Sequence, residues 1–410
     1  MSDSTGSIGI VGTGIAGLHL ALMLQQHGVP VTIYTDRTPE QVATGRLLNT
    51  VMHHHATRER DRELGAASWP LAECGWWTRY HSVRGTSGVD YRGNFDLASV
   101  AVDYRLYLPH LEREFVSRGG EIQLKRLDVA ELEQVSGQHD LMVVATGRGP
   151  VAEMFGLRKE YSPYSAPQRL CLAALVSGVD RPDVEGVSIN ASRGEGELIE
   201  FPMLTAQGRA TALLFENMPD SDLAQLVHQK YADDPGAFDK RVLSALEQHY
   251  PRVFERVRLD KFGILSGDDI LQGGVTPVVR NDYIRLDSGC YALAVGDCHA
   301  AVDPLMGQGA NAASYSALVT GQAILDEIVY DEMFCRRVAA SREEMVLGAT
   351  LVTNMYLEFP EHLRTLQKAS VRSQEVANRV AAAFADPREM WRIIATPERV
   401  DAFVRSVEDR

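Results

Sequence analysis

Cysteine is scarce in this sequence, and so are the features of a secreted or membrane-inserted chain. The 410 residues include five cysteines, an odd number, and none of them forms a C-x-x-C pair. This usage indicates reduced thiols rather than a disulfide framework or a zinc site. The N-terminal stretch MSDSTGSIGIVG lacks the basic and apolar parts of a signal peptide, and no apolar run reaches the length of a membrane span. We therefore expect a cytoplasmic protein without a membrane partner.

Positive charge is also in deficit. Lys and Arg total 41 against 55 Asp and Glu, which gives a formal net charge of -14. Without a basic stripe, the chain is a poor candidate for binding nucleic acid or an anionic membrane. Hydrophobic residues make up 45% and charged residues 23%, values that are ordinary for a globular protein. The length suggests two or three domains.

A glycine cluster is the first positive signal. Gly12, Gly14 and Gly17 follow the apolar stretch IGIV and open the helix-like stretch LHLALMLQQH, and VTIYTD then predicts a second strand. In this strand–turn–helix context the spacing is the dinucleotide-binding fingerprint. Gly12 permits the tight turn, Gly14 lets the backbone approach a pyrophosphate, and Gly17 lets helix and strand pack closely. Asp36 stands one place beyond the usual ribose-binding position, so the ribose contact falls to Asp36, Thr35 or the backbone.

Three later features favour FAD over NAD as the cofactor. VVATGRG, at 143–149, predicts a strand followed by Thr-Gly. Arg105 follows the β-rich stretch 76–100 and has the placement of an arginine near the flavin ribityl-phosphate region. Asp297 ends the strand-like stretch YALAVGD, and the small-residue loop after it offers backbone N–H groups and a helix N-terminus to a flavin. The predicted cofactor site also includes Arg46, Leu127, Pro304, Gly307, Gly309, Ala310 and Asn311.

The element pattern predicts an α/β fold with three parts. A Rossmann-type FAD-binding domain takes 1–75, 100–160 and 285–330. An inserted β-sheet substrate domain takes 76–99 and 161–284, where alternating stretches such as GELIEFPML and ATALLFENM indicate strands. The C-terminal region, 331–410, is predicted to be helical. No metal site is expected, because the adjacent His53, His54 and His55 cannot all face one ion from a regular element.

Several segments together resemble a known family. The stretches GIVGTGIAGLHLALMLQQH, RLLNTV and DILQGGV, with GD, VDP and GQGAN near residue 300, occur in the order found in the oxygenase component of two-component styrene monooxygenases. These enzymes stand beside the indole monooxygenases among FAD-dependent proteins. The resemblance runs nearly end to end. It implies a fold similar to para-hydroxybenzoate hydroxylase.

The resemblance also implies a reaction and its partners. Reduced FAD would arrive from a separate NADH-dependent flavin reductase and react with O2 to form a C4a-hydroperoxyflavin. One oxygen atom would pass to the vinyl group of styrene, giving the (S)-epoxide. A homodimer is included among the expected assemblies.

The same resemblance names substrate-pocket positions. Styrene-type members carry Asn, Val, His and Ser at positions that match Asn49, Val51, His53 and Ser99. This chain departs from them at Trp76 and Arg79, where Tyr and His are usual, so indole remains an alternative substrate. Asn49, Val51 and His53 alternate along NTVMH, and in an extended segment all three would face the same side, toward flavin and substrate.

Two other functions stay open at this point. A single-component hydroxylase, which takes hydride from NAD(P)H, also lacks a second glycine fingerprint. A flavin-binding carrier or sensor would need the same cofactor site but no oxygen chemistry. NADH consumption by the isolated protein distinguishes the first, and the reaction of its reduced flavin with oxygen distinguishes the second.

Overall fold

The computed structural model describes residues 7–66, 69–84 and 89–409. Its strands are β1 Ile8–Val11, β2 Val31–Thr35, β3 Gly75–Arg84, β4 Val89–Val100, β5 Glu121–Leu124, β6 Leu141–Val144, β7 Leu170–Ser177, β8 Val187–Ser192, β9 Gly196–Thr205, β10 Gly208–Asn217, β11 Gly263–Ile264, β12 Ile270–Gly273, β13 Val278–Val279, β14 Tyr283–Arg285, β15 Tyr291–Ala294 and β16 Ala300–Ala301. Its α-helices are α1 Ile15–Gln26, α2 Pro39–Ala43, α3 His55–Glu63, α4 Leu71–Cys74, α5 Tyr104–Ser117, α6 Val129–Ser136, α7 Pro150–Glu153, α8 Gln225–His228, α9 Pro235–His249, α10 Pro251–Phe254, α11 Gly309–Asp326, α12 Glu332–Glu358, α13 Glu361–Arg372, α14 Gln374–Ala383, α15 Pro387–Ile394 and α16 Pro397–Glu408.

The first sheet has six strands in the order β14-β15-β6-β1-β2-β5. Every neighbouring pair is parallel except β14 with β15. β1 and β6 are buried at every position, because a parallel strand covered on both faces needs apolar side chains on both. One apolar cluster joins Ile8 and Ile10 to α1, α5 and α11, and another joins Val11 and Val144 to α6 and α7. The predicted nucleotide-binding fold is confirmed.

The strand order places a crevice at one edge of this sheet. The chain passes from β1 to β2 on one side, whereas β6 and β15 lie on the other. Ligands of open α/β sheets bind outside the carboxyl ends of the strands at such a switch point. The glycine turn leaves β1 at this edge, so the fold directs it toward the crevice.

The second sheet has eight strands, seven in the order β11-β7-β10-β9-β8-β3-β4 and β12 also paired with β7. Its pairs are antiparallel apart from β3 with β8. One face packs on helices through Phe215 and Phe238, and the opposite face packs on the C-terminal helices through Phe201 and Val380. The sheet is therefore the middle layer of three.

Helices α8–α10 were not expected in the β-rich stretch. The signal for α9 was present: Asp234 accepts a hydrogen bond from the Ala237 amide and Pro235 occupies the first turn. Phe238, Val242 and Leu246 then bury one side of the helix on the sheet. The alternating strand patterns on either side made the helical spacing of these apolar residues hard to recognise in the sequence.

Helices occupy the C-terminal region, as predicted. α14 packs on β4 so closely that a Cβ at Gly93 would overlap the carbonyl oxygen of Ala377, and the Asn94 amide donates to Asn378 Oδ1 over 2.9 Å. Within the described residues no helix is both long enough and apolar enough to cross a membrane.

The first prediction concerns two glycines of the turn. A Cβ at Gly17 would overlap the carbonyl oxygen of Gly12, whereas at Gly14 the nearest atom, the carbonyl oxygen of Ala145, lies 4.0 Å away. Gly17→Ala should lower the free energy of unfolding by about 2 kcal/mol or more. The matched control Gly14→Ala should cost about 1 kcal/mol or less. Urea unfolding followed by circular dichroism measures both, and equal losses would contradict the packing role assigned to Gly17.

Candidate active site

A cavity of about 650 Å³, here called the main cavity, opens at the carboxyl edge of the first sheet and extends to the second. Its walls come from the turn after β1, the ends of β2, β6 and β15, and the loop before α11. The second sheet contributes Cys171 and Ala173 of β7, Leu214 of β10, and residues 271–273 of β12. One space thus touches both the nucleotide-binding sheet and the inserted sheet.

The glycine turn meets the requirements of a pyrophosphate site. Gly12 has φ +108°, a conformation that side chains strongly disfavour, and a Cβ there would lie 2.6 Å from the carbonyl oxygen of Ala145. Gly14 caps α1 without a side-chain hydrogen bond, so the first amides of the helix remain available. Together with the helix dipole, these amides favour a bound anion.

Most of the predicted cofactor residues line the main cavity. Asp36, at the end of β2, is about half exposed and lies 3.5 Å from the Arg37 guanidinium. Asp297 is exposed to the cavity; the surrounding protein raises the pKa of its carboxyl by partial desolvation, and the charges of Arg148 and Arg280 oppose that rise. The others on the wall are Gly12, Gly14, Leu127, Pro304, Gly307, Gly309 and Ala310.

Four predicted cofactor residues are not on this wall in the described part of the chain. Gly17 serves the packing of α1, as expected. Arg46 is exposed to solvent. Arg105 is held elsewhere: its Nη2 lies 2.6 Å from Asp103 Oδ2 and 2.5 Å from Asp269 Oδ1. Two carboxylates therefore neutralise the guanidinium that was expected to contact the ribityl-phosphate region.

Asn311 is the fourth, and its amide is fully used inside the protein. Oδ1 accepts from the His54 amide over 3.0 Å and from the Thr57 hydroxyl over 2.8 Å. Nδ2 donates to the carbonyl oxygens of Met52 over 2.9 Å and Gly307 over 3.1 Å. Asn311 thus positions the two segments that form the cavity wall instead of contacting its contents.

The expectation that Asn49, Val51 and His53 face one side is wrong for His53. Asn49 and Val51 line the main cavity, but Leu48 and Thr50 line it as well, so the alternation does not explain their placement. The segment is not a regular strand, however; only His53 pairs, through two backbone hydrogen bonds with Val100 of 2.8 and 3.0 Å. Its ring points to Tyr104 instead, with Nε2 2.9 Å from the hydroxyl. Tyr104 itself lines the main cavity, so His53 lies one residue behind the wall.

Asn49 carries an unsatisfied polar atom into this space. Its Oδ1 is buried and has no hydrogen-bond partner among the described residues. An unpaired buried acceptor costs roughly 1–3 kcal/mol, so a donor in the cavity would stabilise it. This orphaned oxygen and the open amides of α1 are the features that fit a large polar cofactor.

Behind Tyr104 lies a buried polar network centred on Asp61. Asp61 Oδ1 accepts from the Tyr107 hydroxyl over 2.6 Å and lies 3.1 Å from His19 Nε2, and Oδ2 lies 3.7 Å from His53 Nδ1. Burial alone would raise the pKa of Asp61, but the neighbouring His19 and His53 rings lower it well below the ordinary value. Burial in turn lowers the pKa of His19. An ionised carboxylate therefore accepts from the Tyr107 hydroxyl and lies beside two imidazole rings.

The remaining pocket residues lie around a second space. A small cavity of about 10 Å³ is lined by Trp76, Arg79 and Ser99, together with Met52, His54, Phe95, Val187, Ala381 and Ala385. Such a volume admits one water-sized particle.

The adjacent histidines do not face one point, since His53 contacts Tyr104 and His54 contacts Ser99. In the described chain no group of three or more His, Cys, Asp or Glu is arranged to hold a metal ion.

Sequence reasoning missed two residues of interest here. Arg148 lines the main cavity, and its position directly after Thr-Gly in VVATGRG was a usable signal. Tyr104 had none, because a tyrosine at a helix start is common. Its position at the cavity wall depends on the packing of α5 against the segment around His53, which no local sequence pattern reveals.

The Asp61 network should make stability depend on pH. Because its folded-state pKa is depressed, the stability that Asp61 contributes is present above its unfolded value, near pH 4, and is lost as the pH falls further. Asp61→Asn should lower the free energy of unfolding at pH 7 by about 3 kcal/mol, and flatten its decline below pH 4. Asp36→Asn, at a half-exposed carboxyl, is the matched control and should change little. Urea unfolding from pH 3 to 8 tests both variants, and an unchanged Asp61→Asn curve would refute the network's role.

The matching family model and the relatives agree with this geometry. Residues 147–256 match the model of the styrene monooxygenase A substrate-binding domain. Two relatives, each named styrene monooxygenase StyA, from Pseudomonas fluorescens and a Pseudomonas species, are 42% identical over 399 residues, 96% of either chain.

Solved structures support the fold at lower identity. The flavin-dependent brominase Bmp2 aligns with a TM-score of 0.67 at 14% identity, covering 98% of this chain and 99% of its own. A flavoprotein/dehydrogenase from Cytophaga hutchinsonii gives 0.67 at 13% identity over 98% of each chain. The tetrameric form of 2-methyl-3-hydroxypyridine-5-carboxylic acid oxygenase gives 0.60 at 14% identity over 92% of this chain and 96% of its own. These neighbours have the para-hydroxybenzoate-hydroxylase-like fold expected above.

The extent and level of identity to the two StyA proteins go well beyond a shared fold. This chain belongs to the styrene monooxygenase family of FAD-dependent enzymes.

Proposed function

We propose that this protein epoxidises styrene or a closely related vinyl aromatic to the (S)-epoxide, with reduced FAD supplied by a separate NADH-dependent flavin reductase. The observation that carries the proposal is the main cavity, in which the glycine turn and the inserted sheet share one space. The name of the 42% identical relatives supports the substrate. Homodimer formation and a cytoplasmic location stay predictions, the latter supported by five free cysteines.

The positions of the residues that line the main cavity support a role for each of them in binding FAD. The amides at the start of α1 would bind the pyrophosphate, and Asp36 would accept from a ribose hydroxyl. Asp297 would accept from a ribityl hydroxyl, and the backbone from Gly307 to Ala310 would face the flavin ring at the start of α11. Bound reduced FAD supplies the electrons that activate O2 for oxygen transfer.

The protein's part in the reaction is orientation and the exclusion of water. Addition of oxygen to a vinyl group removes no proton from the substrate, so the wall needs no base aligned on the alkene. Val51, Ala173 and Leu214 give an apolar surface suited to a hydrocarbon, and such a surface keeps water from the reacting atoms. Asn49 Oδ1 adds one acceptor that can orient a donor group beside that surface.

One set of assays tests the function. The purified chain with NADH and FAD should oxidise NADH negligibly, and addition of an unrelated flavin reductase should produce styrene oxide. Styrene, indole and a thioether are then compared by product analysis and chiral chromatography. Robust NADH oxidation by the isolated chain would overturn the two-component assignment in favour of a single-component hydroxylase. Faster turnover of indole than of styrene would overturn the substrate assignment.

Val51→Phe tests the substrate side of the main cavity. The added ring should narrow the apolar wall and lower kcat/KM for styrene roughly tenfold or more. It should also change the enantiomeric excess, while FAD affinity stays near that of the wild type. Val116→Phe, at a half-exposed position of α5 outside the cavity wall, is the control. Wild-type rate and stereochemistry in Val51→Phe would place the substrate elsewhere.

A further inference from the structure

Arg79 is a buried cation without a counter-charge. It lies on β3 and is 3% exposed, its Nε has no hydrogen-bond partner, and no described carboxylate pairs with its guanidinium. Burial lowers its pKa to about 10, which still leaves it protonated at neutral pH. The guanidinium carbon stands 3.7 Å from the centroid of the Phe384 ring. Such a cation–π contact offsets only part of the cost of burying an isolated charge.

The groups around Arg79 carry no negative charge: they include the phenols of Tyr91 and Tyr356 and two histidine rings. His54 Nδ1 lies 2.8 Å from Ser99 Oγ, while its Nε2 is buried without a partner. Burial and then the charge of Arg79 lower the pKa of His54 to about 3, so the ring is neutral at neutral pH. With the Ser99 hydroxyl donating to Nδ1, Nε2 carries the hydrogen and becomes a donor. His81, two residues along β3, has an unpartnered Nε2 as well.

We propose that the small cavity binds a single small inorganic anion, with chloride as the physiological candidate, between the Arg79 guanidinium and His54 Nε2. Both side chains line the cavity and are more than nine-tenths buried. Its volume of about 10 Å³ is at the lower limit for one water molecule, so a halide enters only if the lining moves outward slightly, and a carboxylate or phosphate group is excluded. A water molecule would satisfy the donors but would leave the charge of Arg79 uncompensated.

The family resemblance implies that Arg79 stands where styrene-type members usually carry His, and Trp76, the other departure, also lines the small cavity. Since Met52 and His54 line it while Asn49 and Val51 line the main cavity, the two spaces share one segment. An anion bound behind that segment would hold it in place independently of FAD.

The test measures thermal unfolding of the full chain without FAD, in sodium bromide or chloride against sodium gluconate at constant ionic strength. The wild type should show a saturable rise of the unfolding midpoint with halide. In Arg79→Gln the apparent halide affinity should fall at least about tenfold. Arg92→Gln is the matched control, because exposed Arg92 lies on the neighbouring strand opposite Tyr80. A halide response equal in wild type and Arg79→Gln, or none in the wild type, would overturn the proposal.

Two further measurements keep the test decisive if Arg79→Gln folds poorly. Arg79→His introduces the residue usual in styrene-type members and should fold while losing the halide response. Crystals soaked in bromide should show an anomalous peak between the Arg79 guanidinium and His54 Nε2. Only water at that position would overturn the proposal. Neither readout depends on epoxidation, so failure here would leave the proposed reaction intact.

Discussion

The amide of Asn311 joins the two irregular segments on which the main cavity depends. Residues 46–52 carry no regular secondary structure, and the loop before α11 turns sharply at Gly307, which has φ +62°. Asn311 donates to a carbonyl on each segment and accepts from two groups that follow Met52. All four hydrogen-bonding positions of one buried amide are therefore satisfied at once. A wall without a strand ladder owes its geometry to this residue.

Residues 49–54, which include part of this segment, contribute side chains to three separate sites. Asn49 and Val51 meet the main cavity, His54 meets the small cavity, and His53 meets the Asp61 network. Buried polar groups contact it at His53 and His54, whereas Asn49 Oδ1 and His54 Nε2 have no hydrogen-bond partner among the described residues. One short segment therefore contributes side chains to all three places. A functional site built on an irregular segment needs this kind of support, because the backbone alone would not keep two facing positions aligned.

The sequence predicted the nucleotide-binding fold well because its signals are local. Strand, glycine turn and helix follow each other within residues 8–26, and their periods and glycine positions have few other solutions. The predicted cofactor residues that line the main cavity, from Gly12 to Ala310, also belong to short sequence motifs, and their contact with FAD stays a prediction. Arg105 and Asn311 were misplaced, since their partners Asp269 and His54 are more than 160 residues away in sequence. No local pattern reveals that Asp269, 164 residues away, joins the neighbouring Asp103 in neutralising Arg105.

The net charge of the chain likewise does not predict the charge of its binding cavity. The chain has a formal net charge of -14, yet four cations, Arg37, Lys125, Arg126 and Arg148, line the main cavity against the two carboxylates of Asp36 and Asp297. These side chains are largely exposed at the rim of the cavity, where clustered cations raise the local concentration of an anionic ligand, an effect that salt screens beyond about 10 Å. The local excess of positive charge suits a pyrophosphate, while each carboxylate stands where a sugar hydroxyl could donate to it. The acidic surface therefore argues against polyanionic partners such as nucleic acid, and the cavity within it still favours a small anionic dinucleotide.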